Sequence, residues 1–225
     1  MKKVFEQIVQ NFTKHFEDCH DKAFTTQNVR SCLDIYNACK EANPDHVVEM
    51  GTNHGASTLS ICLAMNGLGK PLSNITTMDL SHVAWLEAPK IQGGIPEIAA
   101  MDLSLVKYVT GDFKNIDPLP VKSAGKLFVF YDIHDHTFPL SQKFLDEWLP
   151  YIRDGVIAIH DISEVPSNYV LPESDTKRSK AVYKDKMYAG FAECETFVNW
   201  AVANNVTLNS FHGGISFKVA EGKLL

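Results

Sequence analysis

Short apolar runs recur through the middle of the chain, and enough residues for one helix separate each run from the next. They predict five β-strands: His46–Met50, Asn74–Met78, Leu105–Val109, Lys126–Tyr131 and Gly155–His160. Runs that are apolar at nearly every position suit strands that are buried on both faces, as in a parallel sheet. The pattern therefore favours a parallel sheet at the centre of the fold.

Helix-length stretches lie between these runs, at Ala56–Met65, Ile95–Leu103 and Pro139–Ile152. Alternating strands and helices imply right-handed crossovers and a doubly wound α/β domain. Near the C-terminal end, Val206–Phe211 and Ile215–Val219 flank a Gly-Gly pair, which predicts an antiparallel hairpin. We expect a Rossmann-like, mostly parallel sheet of seven strands that ends in this hairpin.

Helices precede the predicted sheet, and a polar segment follows its fifth strand. Residues 1–43 hold two predicted helices, and in the first of them Phe5, Ile8 and Phe12 fall at helical spacing. Residues 162–190 are polar, with two prolines and a run of charges. They predict either a lid at the carboxyl edge of the sheet or a disordered surface loop. Nothing indicates a second domain, so residues 1–225 are interpreted as one.

Composition narrows the class of protein. The 225 residues carry a net charge of −6 with a pI of about 5.8, so the chain lacks the general basic footprint of a protein that binds nucleic acid or an anionic membrane. No apolar run approaches the roughly 18 residues that cross a bilayer. The five cysteines are scattered without a CxxC pair, which favours reduced thiols over disulfides or a zinc finger. We therefore expect a cytoplasmic protein without nucleic-acid or membrane partners.

The segment VVEMGTNHGAST, residues 47–58, combines the end of a strand, a glycine turn and the start of a helix. Glu49 lies near the end of the strand, and Gly51 and Gly55 frame the turn. Glycines allow positive φ and a close approach of the backbone to a ligand, and a helix start offers free N–H groups. The spacing E-x-G-x-x-x-G differs from the GxGxxG fingerprint of dinucleotide-binding folds. An ordinary strand-to-helix turn is the alternative interpretation.

Two further acids follow the next two predicted strands. Asp79 ends the second strand, where a carboxylate can accept hydrogen bonds from both hydroxyls of a ribose. Asp112 follows the third strand in the segment VTGDF. Each acid alone is compatible with a solvated turn, but three acids at successive strand ends favour one shared ligand site.

Together these features resemble class I S-adenosylmethionine-dependent methyltransferases, in which the E-x-G-x-x-x-G segment is motif I. The resemblance implies that the glycine loop passes under the methionine part of S-adenosylmethionine and that Glu49 helps to hold its ammonium group. It also implies that Asp112 lies near the adenine amino group. The cofactor contacts predicted in this way are Glu49, Gly51, Thr52, Asn53, Gly55, Ser57, Asp79 and Asp112.

The fourth and fifth predicted strands end in Asp132 and in the pair His160-Asp161. Neighbouring strands would bring these side chains together at the edge of the sheet where ligands bind. Two carboxylates and an imidazole make a candidate divalent-metal site, and a hydrogen-bonded polar cluster without metal is the alternative.

This pattern resembles a metal-binding subgroup of the same methyltransferases, which includes macrocin-type sugar O-methyltransferases and cephalosporin hydroxylase-like proteins. The similarity covers roughly Val47 to Ser163 and implies that Asp132, His160 and Asp161 hold the metal, commonly Mg²⁺. His160 departs from the subgroup, where an acid is usual. Mn²⁺, Fe²⁺ or Zn²⁺ tolerate imidazole better than Mg²⁺ does, so either the metal differs or His160 lies outside the ligand set.

The residue that deprotonates the acceptor hydroxyl is harder to assign. In the resembling sugar methyltransferases, a His shortly after the metal Asp is this base, whereas this chain has Asp135 at that offset, between two histidines. We select His136 as the base, with His134 as the alternative. Asp132 would take part in catalysis through the metal that orients the hydroxyl. His134 or His136 could also complete a two-His, one-carboxylate set suited to non-haem iron.

Metal-assisted O-methylation of a small-molecule hydroxyl is the function that we expect, and three others stay open. A metal-dependent hydroxylase of the cephalosporin hydroxylase-like kind would need iron and oxygen. A nicotinamide-dependent dehydrogenase would lack its GxGxxG segment. A binding protein could keep the fold without turnover. Glycosyl, catechol and amide-type acceptors are all open, and the first two helices would form either a homodimer face or a cover over the acceptor.

Overall fold

The computed structural model of the chain describes residues 1–17, 29–53, 55–81, 94–122, 125–133, 140–160, 196–197, 199–211 and 214–224. Several predicted features lie outside these residues, namely the candidate lid at 162–190, the metal ligand Asp161 and the candidate bases His134 and His136. In the part of the chain that is described, no helix has the length and apolar character needed to cross a bilayer.

One sheet organises the described residues. Its strands are β1 (His46–Met50), β2 (Ile75–Asp79), β3 (Lys107–Thr110), β4 (Leu127–Tyr131), β5 (Gly155–His160), β6 (Asn209–Phe211), β7 (Gly214–Ala220) and β8 (Lys223–Leu224). The order across the sheet is β3-β2-β1-β4-β5-β7-β6, with the short β8 paired to β7. Strands β1 to β5 are parallel, whereas β7 runs antiparallel to β5 and β6. This confirms the predicted seven-stranded, mostly parallel α/β fold with its C-terminal hairpin, and adds the two-residue β8.

Helices cover both faces of the sheet. They are α1 (Lys2–Glu17), α2 (Val29–Ala42), α3 (Ala56–Gly67), α4 (Pro96–Ala99), α5 (Leu119–Lys122) and α6 (Leu140–Lys143), and residues 199–203 are also helical. Helix α6 continues as a π-helical turn, Phe144–Trp148, and then as a 3₁₀ turn, Leu149–Tyr151. The proline in this last turn has no N–H for an α-helical hydrogen bond, so the predicted single helix Pro139–Ile152 changes its winding.

Three more predicted boundaries were wrong, and local hydrogen bonds account for them. The helix expected over Ile95–Leu103 is limited to α4, because Asp102 accepts a hydrogen bond from Ser104 N at 3.1 Å and begins a 3₁₀ turn. That turn occupies the predicted start of the third strand, so β3 begins at Lys107. Strand β6 starts later than Val206, because Val206 N donates to Ala201 O at 2.9 Å and closes the preceding helix.

Apolar side chains from alternate strand positions form a core on each face of the sheet. On one face, Val47, Ile75 and Phe128 pack against α1, α2 and α3. On the other, β-strand residues pack against the α6 region and the segment that holds Phe197. Residues 57–65 of α3 are buried on every side, which places the helix after the glycine loop in the interior. The carboxyl end of β1 and the start of α3 are therefore rigidly supported.

Parallel pairing aligns the carboxyl ends of the central strands. Met50 at the end of β1 pairs with Met78 of β2 and with Tyr131 of β4. Asp79 pairs with Thr110 of β3, and Tyr131 pairs with Ile159 of β5. The polar residues predicted at these strand ends therefore share one edge of the sheet.

Candidate cofactor and metal site

The glycine loop crosses from β1 to α3 in a left-handed conformation. Gly51, Asn53 and Gly55 have φ values of 95°, 46° and 85°. Gly51 N donates to Met78 O at 2.9 Å, and Gly55 N donates to Thr52 O at 2.8 Å. A Cβ atom on Gly51 would lie 2.2 Å from the backbone oxygen of Asp132. Glycine at this position is thus required by the close approach of the chain's own backbone at the end of β4.

Glu49 is a fully buried acid directly beneath this loop. Its Oε2 atom accepts hydrogen bonds from Thr58 Oγ1 at 2.5 Å and from Thr77 Oγ1 at 2.6 Å. Burial raises the pKa of Glu49 to about 7, although hydrogen bonds from Ser57, Thr58 and Thr77 counteract this. Its other oxygen, Oε1, is buried and has no hydrogen-bond partner in the chain as described. Because buried polar atoms are nearly always hydrogen-bonded, we expect a bound ligand to donate a hydrogen bond to Oε1.

Two of the predicted loop contacts direct their hydroxyls into the protein. Thr52 and Ser57 are 1% and 2% exposed. The Thr52 hydroxyl makes a short hydrogen bond with the Thr77 hydroxyl, and Ser57 hydrogen-bonds to Glu49. Their side chains therefore support the buried acid in this structure, and the loop backbone remains available to a ligand.

Asp79 lies at the end of β2, beside the same loop. Its Oδ2 accepts a hydrogen bond of 2.7 Å from Asn53 N. The carboxylate is partly exposed, so it can accept further hydrogen bonds from a ligand. Asp112, after β3, accepts from Lys114 N at 2.9 Å and caps a 3₁₀ turn over Phe113–Asn115. That cap is a local structural role, and the predicted adenine contact of Asp112 stays a prediction.

Tyr108 of β3 joins this region, although no motif in the sequence predicts it. Its hydroxyl donates to Ser81 O at 2.7 Å and also hydrogen-bonds to Thr52. Burial raises the pKa of Tyr108 to about 12, and the nearby negative charge of Asp79 acts in the same direction. Tyr108 lies beside the glycine loop because it pairs with Thr77 across β3 and β2. The register of these two strands leaves no pattern in the sequence.

Asp132 and His160 meet at the ends of β4 and β5, as predicted. His160 Nδ1 lies 3.3 Å from Asp132 Oδ1, and both side chains are mostly buried. The Phe130 ring lies 5.8 Å from the His160 ring and forms part of its apolar surroundings. Within the described ranges, no group of three or more His, Cys, Asp or Glu forms a metal cluster. The third predicted ligand, Asp161, lies outside those ranges, and the other two predicted ligands, Asp132 and His160, are in contact.

The fold and this edge of the sheet define a methyltransferase-type site, with a glycine loop after β1, an acid after β2 and polar residues after β4 and β5. The methyltransferase domain family matches residues 48–162, just over half of the chain. The chain therefore belongs to this family of enzymes. No curated protein sequence matches it significantly.

Solved structures of methyltransferases share the fold at low sequence identity. The methyltransferase PaMTH1 of Podospora anserina, solved with S-adenosylhomocysteine, has a TM-score of 0.59 at 14% identity over 95% of this chain and 87% of its own. The O-methyltransferase TomG of Streptomyces achromogenes, solved with S-adenosylmethionine, has a TM-score of 0.56 at 12% identity over 96% and 89%. An O-methyltransferase family protein of Burkholderia thailandensis has a TM-score of 0.55 at 12% identity over 85% and 56%.

Proposed function

We propose that this protein transfers the methyl group of S-adenosylmethionine to a hydroxyl of a small molecule, with the help of a divalent metal. The observation that carries the proposal is the open oxygen of Glu49, a buried carboxylate oxygen without a partner in the described structure, beside the glycine loop of a methyltransferase fold. An ammonium group would satisfy this oxygen and stabilise the ionised carboxylate. The cofactor carries such an ammonium group on its methionine part.

The rest of the cofactor fits the same edge of the sheet. The loop from Gly51 to Gly55 would lie under the methionine part, and Asp79 would accept hydrogen bonds from the ribose hydroxyls. Gly55 provides no side-chain cap for α3, which leaves first-turn N–H groups for a carboxylate. The complexes of PaMTH1 and TomG with S-adenosylhomocysteine and S-adenosylmethionine support this choice of ligand.

Asp132, His160 and Asp161 are the residues that would hold the metal. The 3.3 Å between Asp132 Oδ1 and His160 Nδ1 suits two ligand atoms that share one cation, since metal–ligand distances of about 2.0–2.2 Å place neighbouring ligand atoms roughly 3 Å apart. A bound divalent metal supplies a Lewis acid that lowers the pKa of a coordinated hydroxyl. The buried surroundings of His160 would exclude water from this side of the site, and His136 or His134 would take the proton of the acceptor.

The imidazole of His160 beside a carboxylate also favours a second candidate, an iron-dependent hydroxylase of the cephalosporin hydroxylase-like kind. Imidazole suits Fe²⁺ better than Mg²⁺. This candidate predicts that activity needs both iron and oxygen, whereas methyl transfer needs neither.

Calorimetric titration of the metal-stripped protein with S-adenosylhomocysteine, followed by Mg²⁺ and then Mn²⁺, tests the proposal. We expect micromolar cofactor binding and a separate, saturable metal step. The same preparation would then be screened with glycosyl, catechol and amide-type acceptors for methylated product. An absence of cofactor binding both with and without metal would overturn the proposed function. Cofactor binding without a metal step would remove only its metal-assisted part.

A further inference from the structure

Four hydroxyl groups from four different elements connect the buried acid of the site to its ribose side. Thr58 of α3 and Thr77 of β2 both donate to Glu49 Oε2. The Thr77 hydroxyl also hydrogen-bonds to the hydroxyl of Thr52 in the glycine loop, and Thr52 hydrogen-bonds to Tyr108 of β3. The Tyr108 hydroxyl ends the chain by donating to Ser81 O, two residues after Asp79. We refer to Thr52, Thr77 and Tyr108 as the hydroxyl chain.

We propose that Thr77 and Tyr108 are positioning residues for the cofactor, because the hydroxyl chain fixes the glycine loop and the segment after Asp79 against the buried carboxylate of Glu49. This inference rests on the proposed use of S-adenosylmethionine. It adds residues that would not touch the cofactor but would hold the groups that do.

The number of protons fixes the direction of these hydrogen bonds. A threonine hydroxyl has one proton and can accept further hydrogen bonds. When Glu49 is ionised, the single proton of Tyr108 is shared between Ser81 O and the Thr52 oxygen. Thr77 then gives its proton to Oε2 and accepts from Thr52. Removal of the Thr77 hydroxyl would therefore leave both the carboxylate and the loop threonine without a partner, in an interior where unmatched polar groups are costly.

The backbone around the chain shows what these hydroxyls hold in place. Gly51 N and Thr52 N both donate to Met78 O, and Asn53 N donates to Asp79 Oδ2. Three consecutive loop residues are thus bound to the end of β2 through their backbone N–H groups. The hydrogen bond between Thr52 and Thr77 joins the same two segments through side chains. The Tyr108–Ser81 bond fixes the segment on the other side of Asp79. Correct placement of Asp79 and of the loop backbone relies on both connections.

Calorimetric titration with S-adenosylhomocysteine tests the inference through three variants and one control. Thr77→Val keeps the shape of the side chain and removes its hydroxyl, Thr77→Ser restores the hydroxyl, and Tyr108→Phe removes the other end of the chain. Thr76→Val is the matched control, because the same substitution one position earlier points to the opposite face of the strand. Circular dichroism and thermal unfolding of each variant confirm that binding is measured on folded protein.

We expect Thr77→Val and Tyr108→Phe each to weaken binding about five- to tenfold, in line with the loss of a hydrogen bond of roughly 1–1.5 kcal/mol. Thr77→Ser should stay within about twofold of wild type, as should Thr76→Val. If the hydroxyls act as one chain, the double variant Thr77→Val/Tyr108→Phe should lose less than the product of the two single effects.

Wild-type affinity in folded Thr77→Val, or equal weakening in Thr77→Ser and Thr77→Val, would overturn the inference. If Thr77→Val does not fold, Tyr108→Phe at the partly exposed edge of the sheet decides the question alone, and unchanged affinity there would overturn it. A wild-type protein that does not bind S-adenosylhomocysteine would instead contradict the proposed function, so the two failures are distinguishable.

Discussion

Asn53 N donates a hydrogen bond of 2.7 Å to Asp79 Oδ2, which joins the glycine loop to the acid at the end of β2. The Oδ1 atom of Asp79 accepts a longer hydrogen bond, of 3.5 Å, from Ser81 N, and each oxygen of this partly exposed carboxylate keeps a lone pair that can accept from a ribose. The bond from Asn53 N also means that the two predicted parts of the cofactor site, the loop and the acid, are one connected unit.

Replacement of Asp79 by Ala should therefore weaken binding of S-adenosylhomocysteine strongly. Loss of charge-assisted hydrogen bonds worth about 1.5–3 kcal/mol corresponds to roughly a 10- to 150-fold lower affinity, measured by calorimetry. Asp102→Ala is the control, since Asp102 also accepts a backbone hydrogen bond, from Ser104 N, but lies before β3, at the opposite edge of the sheet. Unchanged affinity in folded Asp79→Ala would remove Asp79 from the cofactor site.

Glu49 gives a prediction about stability and pH. Its pKa in the folded protein is raised from an ordinary value of 4.5 to about 7, so the folded protein keeps a proton that the unfolded chain has released between these two values. The free energy of unfolding of the ligand-free protein should therefore fall as pH rises through this window, and this contribution should level off above about pH 7. The Glu49→Gln variant has no ionisable group at this position, so its free energy of unfolding should depend less steeply on pH in this window. Denaturant unfolding of both proteins at several pH values in this window measures the difference. An equal pH dependence of the free energy of unfolding in the two proteins would contradict the raised pKa of Glu49.

Cofactor binding should depend on the same group in the opposite sense. An ammonium ligand favours the ionised carboxylate, so the affinity for S-adenosylhomocysteine should rise as pH increases through about 7. Calorimetry near pH 7 in buffers of different ionisation enthalpy should detect release of a proton on binding. The negative charge of Asp132 also raises the pKa of Glu49, so the Asp132→Asn variant should move the rise in affinity to lower pH. Glu49→Gln should bind weakly and should lose this proton release.

The sequence was sufficient to predict that Asp79 and Asp132 lie at the edge of the sheet that holds the glycine loop, and the reason is geometric. Each acid directly follows an apolar run, and parallel strands place their carboxyl ends at one edge. The hydroxyl groups around Glu49 could not be found in this way. Thr58 and Thr77 reach the acid, and Tyr108 reaches Thr52, through the rotation of α3 and the register of β2 with β3, which leave no pattern along the chain.

Irregular helices set a similar limit on the predicted boundaries. An apolar periodicity extends over Pro139–Ile152, but Pro150 and the π-helical turn before it divide the segment into three windings. Asp112 was predicted from its position after β3, yet the hydrogen bond from Lys114 N gives it a capping role that position alone does not reveal.

Gly51 should tolerate no side chain. Its φ of 95° disfavours other residues, and a Cβ atom would lie 2.2 Å from Asp132 O, a backbone atom that cannot move away without shifting β4. We expect Gly51→Ala to lower the free energy of unfolding by more than about 3 kcal/mol, since it adds a backbone clash to strain of about 1–3 kcal/mol. Gly69→Ala is the matched control: its φ is 69°, but nothing lies within 4 Å of its Cβ position, so it should lose only the strain. Equal losses in the two variants, measured by denaturant unfolding, would show that the contact with Asp132 is unimportant.

A substitution at Asp132, which contacts His160, should distinguish metal binding from cofactor binding. If the proposed metal site is correct, Asp132→Ala should abolish metal binding, because it removes the carboxylate proposed to bind the ion beside His160. It should leave S-adenosylhomocysteine affinity within a fewfold of wild type. Asp154→Ala is the control, as Asp154 precedes β5 and lies at the opposite edge of the sheet. Stoichiometric metal retained by Asp132→Ala would eliminate this site.

Replacement of His160 by Asp then tests how the imidazole selects the ion. Mg²⁺ prefers oxygen ligands, whereas Mn²⁺ accepts nitrogen, so wild type should bind Mn²⁺ more tightly than Mg²⁺. The added carboxylate of His160→Asp should narrow that difference by raising affinity for Mg²⁺. Competition titrations of the two ions on both proteins measure the ratio. An unchanged ratio would place His160 outside the ligand set, where its 3.3 Å contact with Asp132 Oδ1 would orient the carboxylate without touching the metal.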